Sequence, residues 1–180
     1  PLGPESIGCA AGTLGEVKRL ELLGVQKDQA ANTPVVVLRE AEGRRRLLPI
    51  LVGLPEATAI HLWLSGNIPP RPLTHDLFRD TLQSLGVQLT RVVITEIRDH
   101  TYYADLHVQG DAGERVVSAR PSDGIALAVR MNAELYATES LLDEVGQEEG
   151  LAEDGEADEE ILDEFHDFIE SVKPEDFFES

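Results

Sequence analysis

Two short polar segments contain the residue types that could carry chemistry. His75 and Asp76 follow Thr74 at the start of a predicted helix, and an imidazole beside a carboxylate can bind a metal or act as a general base with its orienting acid. Adjacent helical residues diverge by about 100°, so the two side chains are not expected to converge on one atom. Asp76 is also adequately explained by its interaction with the positive end of the helix dipole.

The second segment is Arg120-Pro121-Ser122-Asp123. Here an arginine could bind phosphate beside a carboxylate that holds Mg²⁺ or Mn²⁺, hard ions that prefer oxygen ligands. The structural alternative is that Ser122 caps a helix and Asp123 complements its positive end. Taken alone, each segment favours the structural alternative.

Several familiar motifs are absent from the sequence. It contains no GxxxxGK[ST], GxGxxG, HExxH, paired CxxC or GxSxG. These absences disfavour sites for nucleoside triphosphates and dinucleotides, thiolate zinc sites and hydrolase triads. Any catalysis would therefore depend on carboxylates, histidine and a recruited metal ion.

The pattern of apolar residues predicts the elements that must position these segments. An α+β domain with a mixed or antiparallel sheet and strand–helix units is expected. The predicted strands cover 15–25, 35–38, 47–52, 87–98, 101–108, 115–119 and 135–137. The predicted helices cover 55–64, 74–85 with Thr74 as N-cap, 121–131, and a segment through Leu141 and Leu142.

Two features of these helices lead to further expectations. The second helix has an apolar stripe that should face the core, formed by Leu77, Phe78, Leu82 and Leu85. A strand that leads into a proline–acid helix start occurs at 51–64 and again at 116–129. This repetition could reflect an internal duplication or the reuse of favourable helix-start chemistry.

The distribution of charge separates the chain into two parts. Residues 139–180 hold 18 of the 34 acidic residues and one base, Lys173, and so carry −17 of the net charge of −19. The preceding part is nearly neutral and includes Arg44, Arg45 and Arg46, which could bind phosphate. A solvated hairpin end is the simpler interpretation of these three arginines.

These features predict a domain over 15–146 with extensions on both sides. Residues 1–14 lack an initiator Met and read as a loose extension or a cloning remnant. Residues 147–158 are predicted to form a disordered acidic linker, and 159–180 an acidic amphipathic helical tail. The apolar stripe of this tail consists of Ile161, Leu162, Phe165, Phe168, Ile169 and Val172. It requires a partner surface, on the domain itself or on another protein.

The cellular compartment is indicated by cysteine usage and hydropathy. Cys9 is the single cysteine, so the chain forms no internal disulfide. The most apolar run, from Leu47 to Leu64, is interrupted by polar residues and prolines, which argues against a membrane span. A cytoplasmic protein is expected.

Specific strings add a family resemblance. LPILVG at 48–53 with Glu56-Ala57 and Ala59-Ile60, PRPLTHDL at 70–77, and RPSD at 120–123 followed by IALA at 125–128 resemble, in order and spacing, the bifunctional nuclease domain family of bacterial and plant proteins. The resemblance covers about 15–145. It implies an α+β fold, a homodimer, and metal-assisted cleavage of DNA or RNA phosphodiesters. Gly124 stands where alanine is expected, which weakens a helix by roughly 0.5–1 kcal/mol.

The resemblance leads to a hypothesis about the roles of six motif positions in a Mg²⁺- or Mn²⁺-dependent nuclease. Glu56, Asp76 and Asp123 would hold the metal, and His75 would position or deprotonate water together with Asp76 and Asp123. Arg71 and Arg120 would stabilise phosphate charge.

Two other functions stay open. The first is a non-enzymatic regulatory or protein-interaction domain, in which the motif residues cap helices and the acidic tail docks on the body or on a protein partner. In a nuclease the same tail could act as an autoinhibitory phosphate mimic. The second is a small-molecule-binding domain between the two helices that begin with proline.

Overall fold

A computed structural model of the protein describes residues 16–28, 33–67 and 69–148. The chain divides into two compact units, 1–149 and 150–180, and all described residues lie in the first. The predicted extension at 1–14 and the predicted amphipathic tail at 159–180 lie outside the described residues. So does the predicted linker, apart from its first two residues. The domain boundary at residue 146 therefore stays a prediction.

One seven-stranded sheet forms the framework of the described domain, with strand order β3-β2-β1-β7-β4-β5-β6. The strands are β1 Val17–Asp28, β2 Thr33–Glu40, β3 Leu47–Leu51, β4 Gln88–Arg98, β5 Thr101–Gly110, β6 Gly113–Ala119 and β7 Glu134–Thr138. All neighbouring pairs are antiparallel except β4 and β7, which are parallel. The sheet is therefore mixed, as predicted.

The four described helices are α1 Leu54–Leu64, α2 Thr74–Ser84, α3 Pro121–Met131 and α4 Glu139–Val145. A three-stranded meander followed by a helix occurs twice, as β1-β2-β3-α1 and as β4-β5-β6-α3. The α+β fold is thus confirmed, and the repetition seen in the sequence extends to the order of the elements. None of the helices in the described part of the chain has the length and apolar character needed to cross a membrane.

The helix starts follow from local chemistry. Pro55 and Pro121 lie in the first turns of α1 and α3, where their missing amide donor costs nothing. The prediction that Thr74 is the N-cap of α2 is wrong, because the cap is Leu73. The Asp76 carboxylate accepts a hydrogen bond from the Leu73 amide (3.0 Å), and this bond starts the helix one residue earlier.

The core lies between the sheet and its helices. α1 packs against β1 and β2, α3 packs against β4 and β5, and the two helices contact each other. Val36, Leu38, Val92 and Ile94 from the sheet are fully buried, as is Ile125 of α3. Burying side chains of this size stabilises the fold by about 1.5–3 kcal/mol each.

The structure explains why a glycine occurs at position 124. A Cβ added to it would lie 2.8 Å from Cγ1 of Val92, so α3 approaches β4 more closely than an alanine would allow. Valine is stiff at χ1 and cannot easily move its methyl group away. The glycine that weakens the helix therefore permits its packing on the sheet.

We expect Gly124→Ala to destabilise the protein. Overpacking against Val92 costs about 1–3 kcal/mol, whereas the gain in helix propensity is only about 0.5–1 kcal/mol. Thermal unfolding followed by circular dichroism should show a midpoint lower by about 2–8 °C. In a Val92→Ala background the same change should raise the midpoint, because the obstructing methyl group is gone. A stabilising effect in the wild-type background would contradict this account of the glycine.

The expected orientation of α2 is wrong. Its apolar stripe does not enter the core, since Leu77 is 59% exposed, Phe78 48% and Leu85 69%. Only Asp76 is buried in this helix. The reason is that α2 contacts α3, so its polar first turn faces inward. Three of the four stripe residues face outward, and Leu82 is half-buried.

The arginine cluster at 44–46 fits the solvated hairpin end in part, because Arg44 and Arg45 are exposed whereas Arg46 is not. Arg46 is buried, with 3% of its side chain exposed, and its Nε donates to Oε2 of Glu40 at 3.0 Å. The other guanidinium nitrogens reach Glu139 at 3.1 Å and Asp143 at 2.8 Å. Arg46 thus joins the β2–β3 hairpin to α4, while Arg44 binds Asp143 at the surface.

Candidate active site

Three helix starts carry an acidic side chain in the first turn. These are Glu56 in α1, Asp76 in α2 and Asp123 in α3. The free backbone amides at a helix N-terminus give it a partial positive charge, and a carboxylate there is stabilising. All three helices are thereby suited to present a carboxylate near their starts.

Arg120, the N-cap residue of α3, connects two of these carboxylates. Its Nη1 lies 2.9 Å from Oε1 of Glu56. Its Nε donates to Oδ2 of Asp123 at 2.8 Å, and its Nη2 donates to Oδ1 at 3.1 Å, which is the bidentate geometry typical of arginine and carboxylate. The Arg120 side chain is still 66% exposed. The guanidinium therefore stays accessible to solvent although two carboxylates contact it.

His75 completes the group. Its Nε2 lies 3.2 Å from Oδ1 of Asp123, and only 15% of its side chain is exposed. A carboxylate favours the tautomer in which Nε2 carries the proton, leaving Nδ1 able to accept one. We call Glu56, His75, Arg120 and Asp123 the helix-start cluster.

The protonation of Asp123 follows from its neighbours. Burial alone would raise the pKa of this carboxyl group, but hydrogen bonds from Arg120 and His75 outweigh it and hold the pKa below its usual value. In turn, the hydrogen bond to Asp123 raises the pKa of Arg120. Asp123 is therefore ionised at neutral pH and paired with the Arg120 guanidinium.

Asp76 faces a different partner. Its Oδ1 accepts a hydrogen bond of 2.7 Å from Nε of Arg130, and its Oδ2 accepts the Leu73 amide. Burial would raise the pKa of Asp76, but these hydrogen bonds lower it overall. Both oxygens are used, and no contact joins Asp76 to Glu56 or Asp123.

Arg71 is the remaining predicted site residue. It is exposed in the connection between α1 and α2 and takes no part in the contacts of the helix-start cluster. The structure therefore brings together four of the six motif residues. It turns Asp76 away toward Arg130, and it leaves Arg71 on the surface near the start of α2.

A glycine makes room for Glu56. A Cβ at Gly53, the N-cap of α1, would collide with the Glu56 carboxylate, which folds back over the start of its own helix. Gly53 has φ of −70°, so it is not required for backbone reasons. Its small size is what allows Glu56 to reach Arg120.

The donor chemistry of the cluster suits a hard divalent cation in part. No group of three Asp, Glu, His or Cys side chains among the described residues is arranged to hold a metal ion. Mg²⁺, however, is commonly bound by one or two carboxylates while waters and substrate phosphates complete its shell. Glu56 and Asp123 provide two carboxylates that both contact Arg120, and carboxylate is the ligand type that suits Mg²⁺ and Mn²⁺. The ligand type therefore suits such an ion, and both carboxylates are paired with the guanidinium of Arg120 in this structure.

The arrangement can perform two tasks. The exposed guanidinium of Arg120 can bind an anionic group, and three helix starts add backbone amides of favourable polarity. His75, oriented by Asp123, can accept a proton from water or a hydroxyl.

The sequence analysis identified all four cluster residues but missed Arg130. The sequence feature that could have indicated Arg130 is its spacing of seven residues from Asp123, which places both on the same face of α3.

Comparisons with known proteins agree with the sequence motifs. A family model described as "Bifunctional nuclease domain" matches residues 36–150. Uncharacterized proteins from two strains of Mycobacterium tuberculosis are each 42% identical over 172 residues, covering 91% of this chain and 98% of the relative. "Bifunctional nuclease 2" of Oryza sativa subsp. japonica is 28% identical over 116 residues, which is 63% of this chain and 36% of that protein.

Proposed function

The chain belongs to the bifunctional nuclease domain family, and on this premise we propose that the helix-start cluster hydrolyses phosphodiester bonds of DNA or RNA. The observation that carries the proposal is the contact of Arg120 with Glu56 and Asp123 while most of its side chain faces solvent. An arginine placed in this way can bind a phosphate and is fixed in position before the substrate arrives.

Each residue of the cluster has a role in the proposal. Arg120 donates hydrogen bonds to the phosphate oxygens and stabilises the charge that develops on them. His75 accepts the proton of the attacking water at Nδ1, while Asp123 fixes the ring through Nε2. The water oxygen forms a bond to phosphorus as the bond to the leaving oxygen breaks. Arg71 contacts a neighbouring phosphate of the strand.

A divalent cation is part of the proposal. Glu56 and Asp123 would hold Mg²⁺ or Mn²⁺, and the ion, when bound, would neutralise phosphate charge and lower the pKa of a water molecule. One observation supports this step: two carboxylates contact the single guanidinium of Arg120, and a cation would offset the carboxylate charge that an anionic substrate meets there. Asp76 is buried against Arg130, and we assign it a supporting role instead of a place among the ligands.

The test is a cleavage assay with a matched arginine control. Single-stranded RNA, single-stranded DNA and supercoiled plasmid are incubated with wild type, Arg120→Ala or Arg115→Ala, in Mg²⁺, Mn²⁺ or EDTA. Arg115 is an exposed arginine of β6 and serves as the control. We expect metal-dependent cleavage by wild type and Arg115→Ala, and a rate lower by about 10²–10³-fold for Arg120→Ala, which loses one donor to the developing charge. Equal trace cleavage by all three proteins would indicate contamination and reject the nuclease.

A second candidate function is a regulatory or protein-interaction domain. It is favoured by the exposed stripe of Leu77, Phe78 and Leu85 on α2, because apolar side chains grouped in this way are characteristic of interaction sites. Absence of cleavage in the assay above would favour this candidate. The homodimer and the cytoplasmic location stay predictions, for which the size of the protein in solution and cell fractionation are the direct measurements.

A further inference from the structure

Arg130 lies in the last turn of α3 and is almost completely enclosed, with 2% of its side chain exposed. Its guanidinium has a partner on every nitrogen. Nε donates to Oδ1 of Asp76 at 2.7 Å, Nη1 to the carbonyl oxygen of Ala126 at 2.9 Å, and Nη2 to the carbonyl oxygen of Ala59 at 2.8 Å. These partners belong to α2, α3 and α1, so one side chain connects all three helices.

A stacking contact adds to these hydrogen bonds. The guanidinium carbon of Arg130 lies 5.2 Å from the ring centroid of Trp63 in α1, and the guanidinium carbon of Arg79 in α2 lies 5.3 Å from the same ring. Such cation–π contacts hold a planar group against an aromatic face. Trp63 is the single tryptophan of the chain, so it is also a natural probe of this junction.

We propose that Arg130 is a positioning residue that sets the contact between His75 and Asp123. Arg130 holds Asp76, whose other carboxylate oxygen accepts the Leu73 amide, and this fixes the first turn of α2. His75 precedes Asp76 in that turn and reaches Asp123 on α3, the helix that carries Arg130. The start of α2 is thereby tied to α3 at two points.

The chemistry of the site requires an arginine. Only a planar fork can donate to a carboxylate and two carbonyl oxygens and also lie over an aromatic ring, whereas a lysine ammonium is a single point on a flexible stem. Arg130→Lys keeps the positive charge for the buried Asp76 but gives up the connection to Ala59. The expected result is a folded protein in which the helix starts are less well aligned.

The experiment has a spectroscopic and a kinetic readout. The ring nitrogen resonances of His75 are recorded by NMR and assigned by their loss in His75→Gln. The proteins compared are wild type, Arg130→Lys and the double variant Arg130→Met/Asp76→Asn, with Arg98→Lys as the exposed control. The double variant removes both charges of the buried pair and so leaves no unpaired buried charge. Asp123→Asn gives the reference spectrum for a lost contact. Circular dichroism and Trp63 fluorescence report folding and the junction.

We expect the His75 resonances of both Arg130 variants to move toward those of Asp123→Asn, with Arg98→Lys unchanged. The kinetic readout rests on the proposed function. We expect kcat to fall about 10- to 100-fold while KM changes less than about threefold, because the variants misalign His75 and Asp123 and leave Arg120 in place to bind the phosphate. Wild-type His75 resonances in folded Arg130→Lys would overturn the proposal, whether or not cleavage is observed. A wild type without cleavage would reject the nuclease while the spectra still decide the role of Arg130.

Discussion

Replacing Asp123 by asparagine is expected to lower the rate of phosphodiester cleavage about 10²–10⁴-fold. An asparagine has nearly the same shape but no charge, so it cannot balance Arg120, and its amide cannot hold His75 in the same tautomer. If the cation is bound as proposed, one of its two protein carboxylates is lost as well. The measurement is the rate of oligonucleotide cleavage at saturating Mn²⁺ and pH 7.

The matched control is Asp111→Asn in the turn between β5 and β6, where the aspartate is exposed. It makes the same chemical change away from the helix starts and should leave the rate within about twofold of wild type, because exposed substitutions without specific partners have small effects. His75→Gln should resemble Asp123→Asn, and the double variant should be little worse than either single variant, since residues that act as a unit are not additive. Full activity of Asp123→Asn would contradict the proposed site.

The largest effect on stability is expected at Arg46. Arg46→Met should lower the free energy of unfolding by roughly 3–5 kcal/mol, because it leaves the buried Glu40 carboxylate without its partner. Arg44→Met is the control: its pair with Asp143 is exposed, so the loss should stay below about 1 kcal/mol. Urea unfolding followed by Trp63 fluorescence measures both. A loss at Arg46 no larger than at Arg44 would contradict the role of the buried pair.

The stabilisation of the fold by Arg46 should decrease as the pH falls. The hydrogen bond from Arg46 lowers the pKa of Glu40 from its ordinary value of 4.5. The stabilisation is therefore fully present above that value and is lost as the pH falls through the lower pKa of the folded state. The difference in unfolding free energy between wild type and Arg46→Met should be largest near pH 7 and should shrink as the pH falls, because burial raises the pKa of Glu40 once Arg46 is gone and the variant then protonates this group first.

Helix starts could be predicted from the sequence because their chemistry is local. Pro55 with Glu56, and Pro121 with Asp123, specify a first turn without reference to the rest of the chain. The family strings then led to the hypothesis that these starts form one site, and the structure brings Glu56 and Asp123 together through Arg120. What the sequence could not supply was the distance between them, because it depends on how α1, α2 and α3 pack.

The predictions that were wrong failed for the same reason, because they depend on how the elements pack. Periodicity identifies the apolar stripe that contains Leu77 and Phe78, but not whether it faces the sheet or the solvent. The sequence suggests that Arg46 lies at the surface because it follows two other arginines, and its acidic partners Glu139 and Asp143 are far away in sequence. Arg130 is marked in the sequence only by its spacing of seven residues from Asp123. Its function becomes visible only when the helices it connects are known.

The position of β7 in the sheet has a consequence for how the protein is made. Synthesis proceeds from the N-terminus, so both meanders leave the ribosome before Glu134–Thr138. β7 lies between β1 and β4, so Val17 of β1 can pair with Thr138 only after β7 has been synthesised. Long-range pairing of this kind is slow, and until it occurs two strands present unpaired backbone to other chains. A nascent chain that stalls before β7 is therefore expected to be prone to aggregation.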